Sequence, residues 1–427
     1  MDLTVEGKVF LNGNFEKCCL GIKDGKISTI KKILKSDNHI NFGNKLILPS
    51  GIDIHVHFRD PGFTYKEDFS TGSLAAAFGG ITCVFDMPNT KPQTTTVTSI
   101  KEKIDNLNTK SYVDYGLYAG IINNNISYIN ELSRYSNGFK IYLGSSTNSL
   151  LLDEENLSKT FNEIDKAKKV TLIHAENEKC IEKNKIKENN LLDHLKNRPA
   201  ICEELSIKNI LSSANKTKLK VHICHLSSCE GLEQIKNRSS NISVGVTPNH
   251  LFFDIKSLIS KPSFLKVNPP IRTKFDREML NQGLINGFID IIESDHAPHN
   301  FEEKNVDFND APSGIPGVET MYPLLLYEVK NGNISFNRLV SAICESPAAL
   351  FNLPKGKIEV ERDADLIVID LKKSSKIKLE NLHSKCDWSP FEERNAIFPS
   401  DVFLRGERII EAGKIQINSG FGNKLNT

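Results

Sequence analysis

The sequence predicts an α/β fold: a (β/α)8 TIM-type barrel over residues 49–352, with a small composite β-domain made by both termini, residues 1–48 and 353–427. Three observations carry this expectation. Eight apolar strand candidates alternate with amphipathic helical segments, the pattern of a parallel sheet covered by helices. Polar residues gather late in those strands, where the C-terminal mouth of a barrel would lie. Both ends of the chain switch to short strands joined by tight turns.

The first 48 residues run through KVFLNG and CCLGIKDGKIST, where Asp24-Gly25 is a two-residue hairpin signal. The barrel strands are expected at 46–57 (LILPSGIDIHVH), 81–88 (ITCVFDMP), 113–120 (VDYGLYAG), 139–144 (FKIYLG), 170–176 (VTLIHAE), 219–226 (LKVHICHL), 242–248 (ISVGVTP) and 288–295 (FIDIIESD). Helices fall between them, at 65–79, 152–168, 200–213 and 273–286 among others. Beyond about residue 350, GKIEVERDADLIVID and DVFLRGERIIEAGKIQ return to hairpin-like strands, so the two termini are expected to fold together.

Bulk properties exclude several classes. The 427 residues exceed one ordinary domain but suit a barrel of about 250 residues plus a smaller unit. A formal charge of +1, with no basic patch interleaved with aromatics, gives no ground for nucleic acid or a membrane surface. No apolar run reaches the roughly 18 residues of a membrane span. The charged, alternating start MDLTVEGKVF is unlike a signal peptide. Nine cysteines, scattered without a Cys-x-x-Cys pair, read as reduced thiols of a cytoplasmic protein.

The chemistry centres on Gly51-Ile-Asp-Ile-His-Val-His-Phe-Arg-Asp-Pro-Gly62. On a strand His55 and His57 point to one side, with Asp53 behind them, and Ile52, Ile54 and Val56 pack on the other. Two imidazoles aimed at one point suit a divalent metal. Other strands end in polar residues too: Asp86 and Asn89 on the second, Lys140 in the fourth, His174 on the fifth, His225 on the sixth and Asp295 on the eighth. A single such residue reads as a hydrogen-bonded core group, but so many at one end of a barrel read as a site. Lys140 costs several kcal/mol inside a barrel unless it is paired or neutral. It either pairs with an acid or, as a neutral amine, adds carbon dioxide to become an anionic carbamate able to bridge two metals. Asp295 beside a metal-bound water could both ligate and shuttle a proton.

Substrate groups are fewer. Arg59 suits a carboxylate through two parallel hydrogen bonds, or forms a surface salt bridge. Asn89 and Asn268, in proline-stiffened loops, match an amide or ureide edge, or cap turns. His299, with Pro298, forms a short loop over the site, and Ser313-Gly314 offers backbone groups near the mouth. His296 reads as support behind the site. His222 is expected to face away from His225 as a core or helix-facing group, and His250 lies near the mouth without spacing to support it. His39, His194 and His383 read as surface.

DIHVHFRDPG, DMPNT, GFKIYLG, HAE, HICHLS, VNPPIR and ESDHAPH together resemble the motif series of the dihydroorotase family, within the amidohydrolase superfamily. The likeness runs from about 46 to 320, and the flanking β segments resemble that family's composite β-domain. It implies a hydrolase that interconverts N-carbamoyl-L-aspartate and L-dihydroorotate in pyrimidine biosynthesis, with two zinc ions per subunit. By motif, His55, His57, Lys140 as its N6-carboxylate, His174, His225 and Asp295 would hold the metals. Asp295 would be the acid–base residue, and Arg59, Asn89, Asn268, His299, Ser313 and Gly314 would meet the substrate. Lys140, where many bacterial relatives carry Asp, places the chain nearer the carboxylated-lysine forms. Glu361 and Glu393 stand where the family's C-terminal motifs have glycine, which puts the local turns in doubt. Allantoinases and hydantoinases share the metal ligands, and an inactive scaffold is the remote alternative. The expected partner is a small-molecule substrate, with no nucleic acid or membrane; a homodimer or a complex with other pyrimidine enzymes stays open.

Overall fold

A computed structural model describes residues 1–146, 150–257 and 261–426; residues 147–149, 258–260 and 427 of the expected barrel and β-domain lie outside the described set. The strand expected at 46–57 is broken at Ser50, and the break separates two eight-stranded sheets. Before it, β1 (Leu3–Leu11), β2 (Asn14–Lys23), β3 (Lys26–Lys31) and β4 (His39–Pro49) belong to the first sheet. Asn12-Gly13 and Asp24-Gly25, all with positive φ, turn β1 into β2 and β2 into β3, the second as the hairpin signal predicts. β4 runs parallel to β1 and antiparallel to Leu366–Ile369, which carries the sheet into Asp401–Leu404, Glu407–Glu411 and Lys414–Ile415. The composite β-domain is thus one sheet stitched from both ends of the chain.

After Ser50 the barrel begins. β5 (Gly51–Val56), β6 (Ile81–Asp86), β7 (Asp114–Gly120), β8 (Gly138–Tyr142), β9 (Val170–His174), β10 (Val221–Ile223), β11 (Ile242–Val246) and β12 (Ile291–Ile292) pair parallel in chain order. Closure comes from a parallel bridge between Val56 and His296, where the His57 N–H donates to the His296 carbonyl at 2.8 Å. Nearly every strand residue is buried, which is why these segments read as apolar runs instead of alternating. The expected helices stand at Phe69–Phe78, Leu157–Ala167, Ala200–Ala214 and Lys274–Ile285. Asp68 with Thr71, and Thr273 with Asp276, form capping boxes that set where the first and last of these start.

The segment after the β-domain strand Leu366–Ile369 returns to the barrel mouth. Trp388 packs with Phe264 and Phe391, and its indole N–H donates to the His299 carbonyl at 2.7 Å. Among the described residues no helix is long and apolar enough to cross a membrane.

One expectation is overturned. Cys180 and Cys202 are joined in a disulfide, so the cysteines are not all reduced thiols. The Asn177 N–H donates to the Cys202 carbonyl at 2.9 Å, folding the segment after β9 against the helix Ala200–Ala214 and bringing the two sulfurs together. A spacing of 22 residues carries no trace of that contact. The other seven cysteines are free.

Candidate metal and substrate site

β5 delivers His55 and His57 to the mouth of the barrel. Asp53 lies buried beneath them, its Oδ1 accepting the His55 and Ser294 N–H groups at 3.1 Å each, and burial raises its carboxyl to about 7. His55 Nε2 and His57 Nε2 converge on Asp295 Oδ1 at 3.2 and 3.1 Å. Burial alone would raise Asp295, but the adjacent His55 and the His57 hydrogen bond outweigh it and hold the carboxyl below its ordinary range. Arg59, His225 and Asp295 all sit in the left-handed region, with φ of 62°, 37° and 47°. For L residues that conformation costs roughly 1–2 kcal/mol each, and such strain clusters where side chains must be aimed against local preference.

A second group faces the first. His174 Nδ1 and His225 Nε2 are 3.2 Å apart. The His174 Nε2–H donates to Glu176 at 2.9 Å, so its Nδ1 presents a lone pair toward His225. Burial pushes His174 and His225 below the ordinary imidazole range, for His225 with the neighbouring His174 and Lys140 adding to it; burial and then Lys140 take His55 to about 4. Neutral imidazoles are the metal-binding form. Lys140 is fully buried and lies 3.2 Å from the Cys224 sulfur and 4.9 Å from the Tyr142 ring centre. No carboxylate pairs with it among the described residues, so the ion-pair alternative is not what the fold builds. Donors of His55, His57 and Asp295 lie within 4.8 Å of one another, and His225 Nδ1 is buried without a partner. The His174 lone pair turned toward His225, the orphaned His225 Nδ1, a buried lysine with no carboxylate paired to it among the described residues, and the converging donors fit a divalent-metal centre.

Two carboxylates that sequence reasoning missed hold these imidazoles. Glu176 accepts the His174 Nε2–H and is clamped by Arg198; burial would raise it, but Arg198 and then His174 bring it to about 2. Glu293 lies 3.3 Å from His55 Nδ1 and 3.4 Å from His222 Nε2, and accepts the His225 N–H at 2.7 Å. Their signal was present: each stands two residues from an expected ligand, in His-Ala-Glu and Glu-Ser-Asp, and i, i+2 residues share a strand face. Carboxylates behind metal-binding histidines fix tautomer and ring orientation. Asp86 is support as well: it pairs with the buried Lys103 at 2.5 Å and accepts the Phe58 N–H at 2.8 Å, tying the ends of β5 and β6 together.

The expected substrate groups line one cavity of about 260 Å³. Arg59, Asn89, Asn268, His299, Ser313 and Gly314 meet there with His57 and Asp295. Gly62 makes this possible, since a Cβ there would lie 2.3 Å from the Lys91 carbonyl of the next loop. Arg59 is buried, not a surface salt bridge, and its Nε–H donates to the Pro298 carbonyl at 3.2 Å. Its Nη2 is 3.1 Å from His299 Nε2. Lys66 donates to His299 Nδ1 at 3.1 Å, which puts the imidazole proton on Nε2 facing the Ser313 carbonyl at 3.1 Å. Arg59 therefore keeps its outer N–H groups for another acceptor. Burial, with Arg59 and Lys66 nearby, takes His299 to about 3, so the ring is neutral. Asn89 accepts from His57 Nδ1 at 2.6 Å, and the Asn268 side-chain oxygen is buried without a partner.

The remaining histidines sort by contact. His296 accepts the Gly317 N–H at 3.1 Å behind the site, and His250 braces the Asn268–Pro269 loop through the Pro269 carbonyl at 3.2 Å. His222 faces the barrel interior beside Glu293, because the left-handed turn at His225 breaks the strand alternation that would separate the two. His194 is a correction: it is buried, not surface, held by Glu188 at 2.8 Å and the Val267 carbonyl at 2.9 Å, so its polar sequence neighbours misled. His39 and His383 are partly exposed and pair with Glu6 and Glu319.

The profile of the amidohydrolase family matches residues 46–402. A dihydroorotase of Methanosarcina acetivorans is 37% identical, the alignment covering 98% of this chain and 94% of that protein. A dihydroorotase of Thermoplasma volcanium is 39% identical over 96% and 95% of the two chains. Among solved structures, the L-hydantoinase (dihydropyrimidinase) of Arthrobacter aurescens superposes with a TM-score of 0.96 at 28% identity, covering 100% of both chains.

Proposed function

The chain belongs to the amidohydrolase family, and on that footing we propose that it is a dihydroorotase, interconverting L-dihydroorotate and N-carbamoyl-L-aspartate in pyrimidine synthesis. Two zinc ions would be held by His55, His57, His174, His225, Asp295 and Lys140, the last carrying a carbon-dioxide-derived carboxylate on its Nζ. When bound, such a metal pair supplies Lewis-acid polarisation of the amide carbonyl and a water of lowered pKa. The chain's own residues do the rest. Asp295, kept ionised by His55 and His57, takes a proton from the attacking water. It hands that proton to the ring nitrogen as the C–N bond breaks, leaving the ureido NH2 and a new β-carboxylate. In the synthetic direction the β-carboxylate closes onto the ureido nitrogen and water leaves. Arg59 holds the α-carboxylate with its outer N–H groups. His299 and the Ser313–Gly314 backbone shape the same side of the cavity, and Asn89 and Asn268 address the ureide edge.

The observation that carries this reading is the buried Arg59 guanidinium in the cavity that also holds His57 and Asp295. The closeness in fold to a hydantoinase favours a second reading, hydrolysis of plain cyclic amides. Such a substrate has no carboxylate for the outer N–H groups of Arg59 to hold. An inactive scaffold would have no reason to keep the whole donor set. Side-by-side assays on dihydroorotate, allantoin and a hydantoin separate the readings; turnover of hydantoin above dihydroorotate would reject ours. A cytoplasmic location, and assembly as a homodimer or with other pyrimidine enzymes, belong to the same proposal and are tested by fractionation and sedimentation.

A further inference from the structure

We infer that His55, His225 and Cys224 form a site for one thiophilic metal ion, with Cd2+ as its probe, inside the barrel. Donor atoms of the three lie within 4.8 Å of one another, and all three side chains are buried. Cys224 also lies within that distance of His222 and Glu293, so its sulfur stands at the junction of two donor triads. Every donor proposed for the zinc pair is nitrogen or oxygen. Cys224 alone adds a soft sulfur, and soft ions gain most from a thiolate beside imidazoles. The sulfur lies 3.2 Å from Lys140 Nζ. Binding breaks the S–H bond and forms a sulfur–metal bond; the proton passes to solvent, and nothing is oxidised or reduced. Because His55 and His225 are shared, the soft ion and the zinc pair exclude each other, so its occupancy inhibits. Only that inhibition rests on the zinc reading; the binding itself does not.

The test is a cadmium titration of the metal-stripped full chain, read by the ultraviolet sulfur-to-cadmium charge-transfer band. Cys19, with Glu6 and His39, makes another thiol-containing cluster nearer the surface, so the titration is run in a Cys19→Ser background. One equivalent of cadmium is expected to raise the band, and Cys224→Ser added to that background is expected to lose it. A band that persists without Cys224, or none in its presence, overturns the site. Should Cys224→Ser not fold, cadmium NMR of the Cys19→Ser chain decides: a shift showing only nitrogen and oxygen ligation overturns it equally. Zinc content of the Cys224→Ser protein keeps the two readings apart. Zinc retained with the cadmium band lost supports the soft site; zinc absent from the chain with Cys224 intact refutes the zinc reading and leaves the cadmium result standing.

Discussion

Replacing Arg59 with Met removes a buried charge while keeping most of the side chain's length and apolar stem. In the structure one N–H of the fork is spent on the Pro298 carbonyl, and the close His299 nitrogen is not an acceptor for it. Two N–H groups can thus meet a carboxylate in parallel. A hydrogen bond to a charged group contributes about 1.5–3 kcal/mol, so losing the pair costs about 3 kcal/mol or more. At 1.4 kcal/mol per tenfold, kcat/KM for dihydroorotate should fall on the order of a hundredfold or more. The loss should appear mainly in KM, because the reacting carbonyl is not what Arg59 holds. The paired control is dihydrouracil, the same ring without the carboxylate, whose turnover should change little. Zinc content, measured by elemental analysis, should stay as in the parent chain. An unchanged KM for dihydroorotate, or an equal loss on both rings, would refute the carboxylate assignment.

Lys140→Ala should strip the chain of metal and activity, with short carboxylic acids restoring part of both; zinc content that does not fall would remove the lysine from the metal site. Glu361 has a φ of 73°, so Glu361→Gly should raise stability by about 1 kcal/mol by relieving the left-handed residue, read as a higher urea midpoint. His250, taken to about 4 chiefly by burial, stays neutral in the folded chain while the unfolded chain protonates near 6.5. The unfolded state therefore binds more protons between those values, and stability falls as pH drops through that window. Urea titrations of metal-free protein at several pH values should show that fall, shallower in His250→Asn.

The strands of the barrel were legible because each is buried on both faces, and that burial writes a local apolar run at β6 as plainly as at β11. Hairpins were legible for the same local reason: Asp24-Gly25 takes its turn without help from afar. The glycine departures were legible as departures but not in outcome. Glu361 and Glu393 keep left-handed conformations, with φ of 73° and 65°, so the turns survive with glutamate in them. The surrounding sheet outweighs a local preference of that size. The break at Ser50 has local signals in Pro49 and Gly51, yet the strand expected at 46–57 runs across it, and only the two sheets on either side show that it separates them.

For the site, the sequence by itself determined which chemistry stands at which strand end: imidazoles on β5 and β9 and just past β10, an amine on β8, and the Asp295 carboxylate just past β12. Period-two alternation and strand order are local properties, and they suffice for that. Tertiary structure alone decided which of these groups meet. Asp295 becomes the point on which His55 and His57 converge, Glu293 reaches both His55 on β5 and the His222 and His225 of the β10 segment, and Cys180 finds Cys202. These contacts depend on barrel closure through Val56 and His296 and on left-handed turns at Arg59, His225 and Asp295. Each of those turns is unfavourable for its own residue and persists only because packing from distant segments enforces it, so no local pattern in the chain could announce it.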